Sequence, residues 1–85
     1  MKKEDIELRL AELMTAYQFN DENFFLGGVG VFTSGFSGRL TAFSEHEIEK
    51  PCVHVDFEDI KSFEVKDNKF IINYNDGRLD SLIIS

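Results

Sequence analysis

The spacing of apolar residues changes once along this chain, and that change limits the fold more than any other feature. Ile6, Leu10, Leu13, Met14 and Tyr17 recur at helical spacing, with Glu7 and Glu12 among the intervening positions, which predicts one amphipathic helix from about residue 4 to about residue 18. Glu4, Asp5 and Glu7 lie in its first turn, where they complement the positive end of the helix dipole, and Asp5 stands four residues before Arg9, a favourable pairing distance. The polar cluster Asn20-Asp21-Glu22-Asn23 is a stop signal. Beyond it the apolar period falls to two, the repeat of a strand. Val53, Val55 and Phe57 alternate with His54, Asp56 and Glu58, Phe63 and Val65 repeat the pattern, and Phe70, Ile72 and Tyr74 share one face.

Turn chemistry divides these runs. Lys66-Asp67-Asn68-Lys69 reads as a tight hairpin, and Asn75-Asp76-Gly77 supplies the positive φ values that short hairpin loops require. The C-terminal half therefore reads as an antiparallel meander of three strands. Residues 25–44 add one or two more, reversing near Ser34-Gly35-Phe36-Ser37-Gly38, and the polar connection EHEIEKP follows at 45–51, with Pro51 helping to end it. Eighty-five residues allow one core, and a composition that is 42% hydrophobic, with nine phenylalanines, marks a globular chain. The expected fold is α+β, a single domain over residues 1–85. An N-terminal amphipathic helix at about 4–18 packs on an antiparallel sheet of about five strands lying within 25–44 and 52–85. A small SH3-like or partly open barrel is the alternative arrangement.

The glycine-rich stretch FLGGVGVFTSGFSGRL invites a phosphate-binding reading, which its details refuse. The dinucleotide fingerprint needs a third glycine where Thr33 stands and a helix directly after it. A P-loop needs Gly-Lys-Ser/Thr, but Gly35 is followed by Phe36, and the nucleophile-elbow pattern fails at Arg39. His46, Cys52 and His54 are the only soft metal ligands, short of the paired spacings of a structural zinc site. Cys52 and His54, two apart on a strand, are about 6 to 7 Å apart at the backbone, too far for a local nucleophile–base pair. The acids of residues 45–64 lack a calcium-loop pattern. No catalytic residue, cofactor or metal ligand is expected.

Charge narrows the partners. The net charge is −7, and seven acids (Glu45, Glu47, Glu49, Asp56, Glu58, Asp59, Glu64) fall within residues 45–64 against Lys50 and Lys61, whereas residues 25–44 carry only Arg39. Nucleic acids and anionic membranes need clustered positive charge, so neither is expected as a partner. The N-terminus MKKEDIELRL has no apolar signal segment, no run approaches transmembrane length, and the single cysteine, Cys52, cannot form an intramolecular disulfide. A cytoplasmic protein is expected.

The string VHVDFEDIKSFEV, followed by KFIINYNDGR, resembles the middle of bacterial pleckstrin-homology-like (GRAM-like) domains. There a strand ends in an acidic-hydrophobic step, here Phe57, Glu58, Asp59 and Ile60, before a hairpin that here carries Ile71 or Ile72 with Asp76 and Gly77. The segment GRLTAF, residues 38–43, is similar to the family's preceding strand, so the likeness spans about 60 residues. It implies an antiparallel, partly barrel-like sheet used as a protein-binding scaffold. The family's C-terminal helix, which plugs one end of the barrel, has no counterpart before Ser85. The basic first hairpin of its phosphoinositide-binding members is reduced to Arg39, so lipid binding is not carried over.

The expected function is that of a non-enzymatic protein-interaction module, acting on a protein partner or on a second copy as a homodimer. The candidate contact residues are Phe36, Arg39, Asp56, Glu58 and Asp59. Phe36, between Gly35 and Gly38 at a loop tip, would join Phe24, Phe25 or Phe32 in an apolar patch beside the acidic strand face, as aromatic anchors do inside polar rims. Phe32 and Phe43 are the more natural core members. The alternative is an acidic inhibitor of the immunity-protein or nucleic-acid-mimic type that covers a basic site on its target.

Overall fold

The computed structural model describes residues 1–18 and 22–85. Among them one helix, α1 (Lys3–Leu13), precedes eight strands: β1 (Thr15–Gln18), β2 (Glu22–Leu26), β3 (Val29–Ser34), β4 (Arg39–Ser44), β5 (Val53–Asp56), β6 (Ile60–Lys66), β7 (Lys69–Tyr74) and β8 (Leu79–Ile83). A single 3₁₀ turn, Phe57–Asp59, joins β5 to β6. The strands form two antiparallel sheets, a five-stranded β1-β2-β3-β4-β5 and a three-stranded β6-β7-β8. The α+β class and a five-stranded antiparallel sheet match the sequence reading. A second sheet was not expected.

The helix is shorter than its apolar spacing predicts. Ile6, Leu10 and Met14 are buried, but Met14 is already extended (φ −134°, ψ 163°) and Tyr17 lies in a strand, half exposed. Thr15, Ala16 and Tyr17 pair with Phe25, Phe24 and Asn23 of β2. Helical propensity is weak near an end, where one further turn gains little. A β-branched and an aromatic residue gain more from cross-strand neighbours. Of the predicted stop signal, Asn20 and Asp21 lie outside the described residues. Lys3 and Glu7 form an i,i+4 pair at 3.7 Å, while Arg9, spaced to meet Asp5, reaches Glu12 at 3.1 Å and the Phe63 carbonyl at 3.3 Å.

The second sheet arises at residues 57–59. Alternation from Val53 through Phe57 holds in burial, but β5 stops at Asp56, and Phe57 enters the core from the 3₁₀ corner, its N–H donating to the Gly38 carbonyl at 2.9 Å. One core results, shared by α1 (Ile6, Leu10), the five-stranded sheet (Phe24, Val31, Leu40, Ala42) and the three-stranded sheet (Phe63, Phe70, Ile72, Leu82).

The sheets are fastened at one end by main-chain and hydroxyl bonds. Gly28 N–H donates to the Ile84 carbonyl at 2.6 Å, the Gly28 carbonyl accepts from Glu45 N–H at 3.0 Å, and Ser44 Oγ donates to the Ile83 carbonyl at 2.6 Å. Helix α1 covers one flank, against β1, β2 and β6. There the Met1 nitrogen donates to the carbonyls of Phe57 and Ile60, each at 2.8 Å, and Arg9 satisfies that of Phe63. Among the described residues no helix covers the opposite flank, between β5 and β8.

Candidate functional site

In β2, β3 and β4 the side chains that enter the core alternate with ones that turn outward, and the outward set is unusual. Leu40, Ala42 and Ser44 of β4 face the core, as do Val29, Val31 and Thr33 of β3 and Phe24 of β2. That parity turns Phe25, Phe32 and Phe43 outward together with Tyr17 of β1. Their rings form a continuous row across four strands, with centroids 5.8 Å apart for Tyr17–Phe25, 5.9 Å for Phe25–Phe32 and 5.5 Å for Phe32–Phe43. The first two contacts are edge-to-face and the third is stacked, geometries that favour ring pairs beyond the area they cover.

Gly30 makes room for this row. It lies opposite both Phe25 and Phe43, and a β-carbon there would collide with the Phe43 ring and sit 3.3 Å from that of Phe25. Phe43 thus lies over bare backbone, an arrangement in which an aromatic ring shields a strand glycine. Phe24, named from sequence for the patch, is core, whereas Phe32, named for the patch but read as the more natural core member, and Phe43, read as core, belong to the outer face. Tyr17 was missed because it completes the apolar stripe of the helix that the sequence predicts to about residue 18. The only available signal was the small Gly30 among large apolar neighbours.

Phe36 occupies the tip of the β3–β4 turn, fully exposed. Its turn abuts two other elements. A side chain at Gly35 would meet Lys3 of α1 at 2.8 Å, and the Gly38 carbonyl holds the start of the 3₁₀ corner. Arg39 and Asp56 are cross-strand partners with an ion pair at 3.2 Å, both half exposed. Glu58 is exposed, its carbonyl accepting from Asn75 Nδ2 at 2.7 Å, and the Asp59 carbonyl accepts from Asn75 N–H at 3.0 Å. The structure therefore gathers Phe36, Arg39, Asp56, Glu58 and Asp59 near one end of the molecule.

On the flank away from α1, a groove of about 790 Å³ separates β5 from β8 and the β7–β8 turn. Val53, Val55 and Leu79 supply its apolar surface. Asp56, Asp59, Asp76, Asp80 and Glu49 supply acids, and Arg39, Arg78 and Lys50 supply bases. Arg78 grips Asp76 through its backbone N–H at 3.0 Å and its guanidinium at 2.6 Å, and these bonds hold the Asp76 carboxyl below the ordinary range. The Tyr74 hydroxyl donates to Asp80, and burial, reinforced by that carboxylate, pushes the phenol well above its usual range.

A raised phenol value means that the folded state keeps its proton after the unfolded chain has lost it. Stability from this site is therefore full below about pH 10 and declines as pH rises toward the folded-state value. Urea midpoints measured at about pH 8 and about pH 11 should fall less for Tyr74→Phe than for the parent chain. Equal falls would remove Tyr74 as the cause.

Among the described residues no three of His, Cys, Asp and Glu converge as a metal site. His54 is engaged with Thr41, whose Oγ1 lies 3.0 Å from its Nδ1, and His46 sits by Gly28 at the β2–β3 turn. No helix among the described residues is long and apolar enough to cross a membrane. Comparison with family models, with curated proteins and with solved structures finds no match.

Proposed function

We propose that this chain is a cytoplasmic, non-enzymatic protein-interaction module whose contact surface is the outer face of the five-stranded sheet, extended at one end by Phe36. The observation that carries the reading is the unbroken row Tyr17–Phe25–Phe32–Phe43 on the solvent side. A monomer gains no core from such a row, whereas interfaces concentrate their energy in aromatic anchors within a polar rim. The rim is present as Arg39, Asp56 and His54, and the strands beneath the rings carry almost no charge. The occupant is another protein with an uncharged apolar patch, because two copies would each bring a charge of −7. The pleckstrin-homology-like scaffold is part of this proposal, and the antiparallel strands with a corner at Phe57–Asp59 are the features that favour it.

The test immobilises the chain and compares what it retains from its host's lysate with what the variants retain. Phe25→Ser and Phe36→Ala should each weaken capture of the same partner by about tenfold or more, the loss expected of an anchor residue. Unchanged thermal midpoints would separate this from unfolding. A partner held equally by the parent and both variants overturns the proposal. A homodimer in sedimentation that Phe25→Ser dissociates makes the second copy the occupant instead. The inhibitor reading draws on Asp56, Glu58 and Asp59 gathering at one end. It requires binding that weakens steeply with salt and with neutralisation of those three acids.

A further inference from the structure

The two flanks of the molecule are treated differently. On the α1 side the edge strand β6 is bulged between Ile60 and Ser62, carries Lys61 and Lys66, and has main-chain carbonyls satisfied by Arg9 and Met1. These are the devices by which proteins keep a strand edge from pairing. On the groove side they are missing. β5 pairs only with β4 and β8 only with β7 among the described residues, neither strand contains lysine or proline, and neither shows a register shift. In such edges alternate residues point their N–H and C=O groups away from the sheet. Here that direction is the groove.

We infer that the groove between β5 and β8 is a second binding site, for an extended, basic peptide segment of a partner protein that adds as a strand to the free edge of β5. Main-chain bonds would supply affinity and alternate side chains the specificity, as in other strand additions. β5 and the adjoining Cys52 span about 17 Å, room for about five residues. Side chains of the added strand that turn inward meet Val53 and Val55, which pack against the core. Those between them meet an unbalanced charge, which selects the basic occupant. Arg39 and Arg78 are already held by Asp56 and Asp76, which leaves three acids in the lining, Glu49, Asp59 and Asp80, against one base, Lys50.

The probe is an acetylated and amidated hexapeptide of alternating lysine and valine, titrated into the isotopically labelled full chain and followed by amide chemical shifts. Shifts should concentrate at residues 52–56 and 79–82, with slowed exchange of β5 amides. Glu49→Gln with Asp59→Asn should weaken binding about tenfold, and N-methylation of alternate peptide residues at least as much. That double variant spares Asp80 and its bond to Tyr74, so the fold is not put at risk. Phe25→Ser should leave the titration unchanged, which separates this site from the aromatic face. The inference is overturned if the peptide does not bind at about 1 mM, if a glutamate-valine peptide binds equally well, or if N-methylation has no effect. It is likewise overturned if shifts appear on the aromatic row, or if the chain alone forms a dimer with β5 amides already protected.

Discussion

Leu10→Ala should lower the unfolding free energy by about 3 kcal/mol, within the range for deleting a fully buried leucine side chain. Leu10 is completely inaccessible and lies with Ile6 on the face of α1 that enters the common core. The helix bridges the flank between β1, β2 and β6, so the cavity would open beneath the joint of both sheets. A chain of this length has a total stability of roughly 4 to 13 kcal/mol. The variant should therefore lose a large share of it and unfold at a much lower urea concentration. Leu8→Ala is the internal control, because Leu8 is 64% exposed on the opposite side of the same helix. Its midpoint should move by less than about 0.5 kcal/mol equivalent. If the two variants lose stability equally, α1 is not docked as described.

Gly27→Ala should be about as damaging, also about 3 kcal/mol, for a backbone reason. Gly27 has φ +56° in the β2–β3 turn, a conformation that alanine adopts only at a cost. Its missing side chain also leaves space for the last strand. A β-carbon would collide with the Ile84 carbonyl oxygen and stand 2.6 Å from Ile84 Cγ2. The same carbonyl accepts the Gly28 N–H that ties one sheet to the other, so relief of the clash must lengthen that bond. Hydrogen exchange should show it locally, with the Gly28 amide losing protection before those of β7. A Gly27→Ala chain of parental stability with the Gly28 amide still protected would contradict this joint.

The glycine-rich stretch thus has a structural explanation that its residue order only hinted at. Gly27 and Gly28 form the turn where the sheets meet, Gly30 lies beneath the rings, and Gly35 and Gly38 flank the tip that displays Phe36. The reversal at 34–38 and the hairpins at 66–69 and 75–77 were legible, because turn chemistry depends on a few adjacent residues. The inward face of β7 was legible for a related reason. Phe70, Ile72 and Tyr74 alternate with less apolar or half-buried positions, and they are buried as predicted.

The candidate site was only partly legible. In FFLGGVGVF both alternating sets are apolar, so residue order does not say whether Phe24 or Phe25 faces the core. Arg39, Asp56, Glu58 and Asp59 were visible as exposed types and Phe36 by its place between Gly35 and Gly38, and the structure adds that the β3–β4 turn and the 3₁₀ corner bring them to one end. The groove had no local signature, since its walls come from Arg39 and from residues within 49–59 and 74–80.

Sequence alone determined that this is one helix followed by antiparallel strands, where three of the reversals fall, and that the chain lacks the motifs of phosphate, metal or nucleophile chemistry. Tertiary structure decided that α1 stops at Leu13, that the strands divide into two sheets, that four rings face outward, and that one flank is sealed while the other is open. The division has a physical cause. Periodicity and turn preferences act over a few residues, whereas helix length, sheet face and edge pairing depend on which distant partners win the competition for the same side chains and main-chain groups.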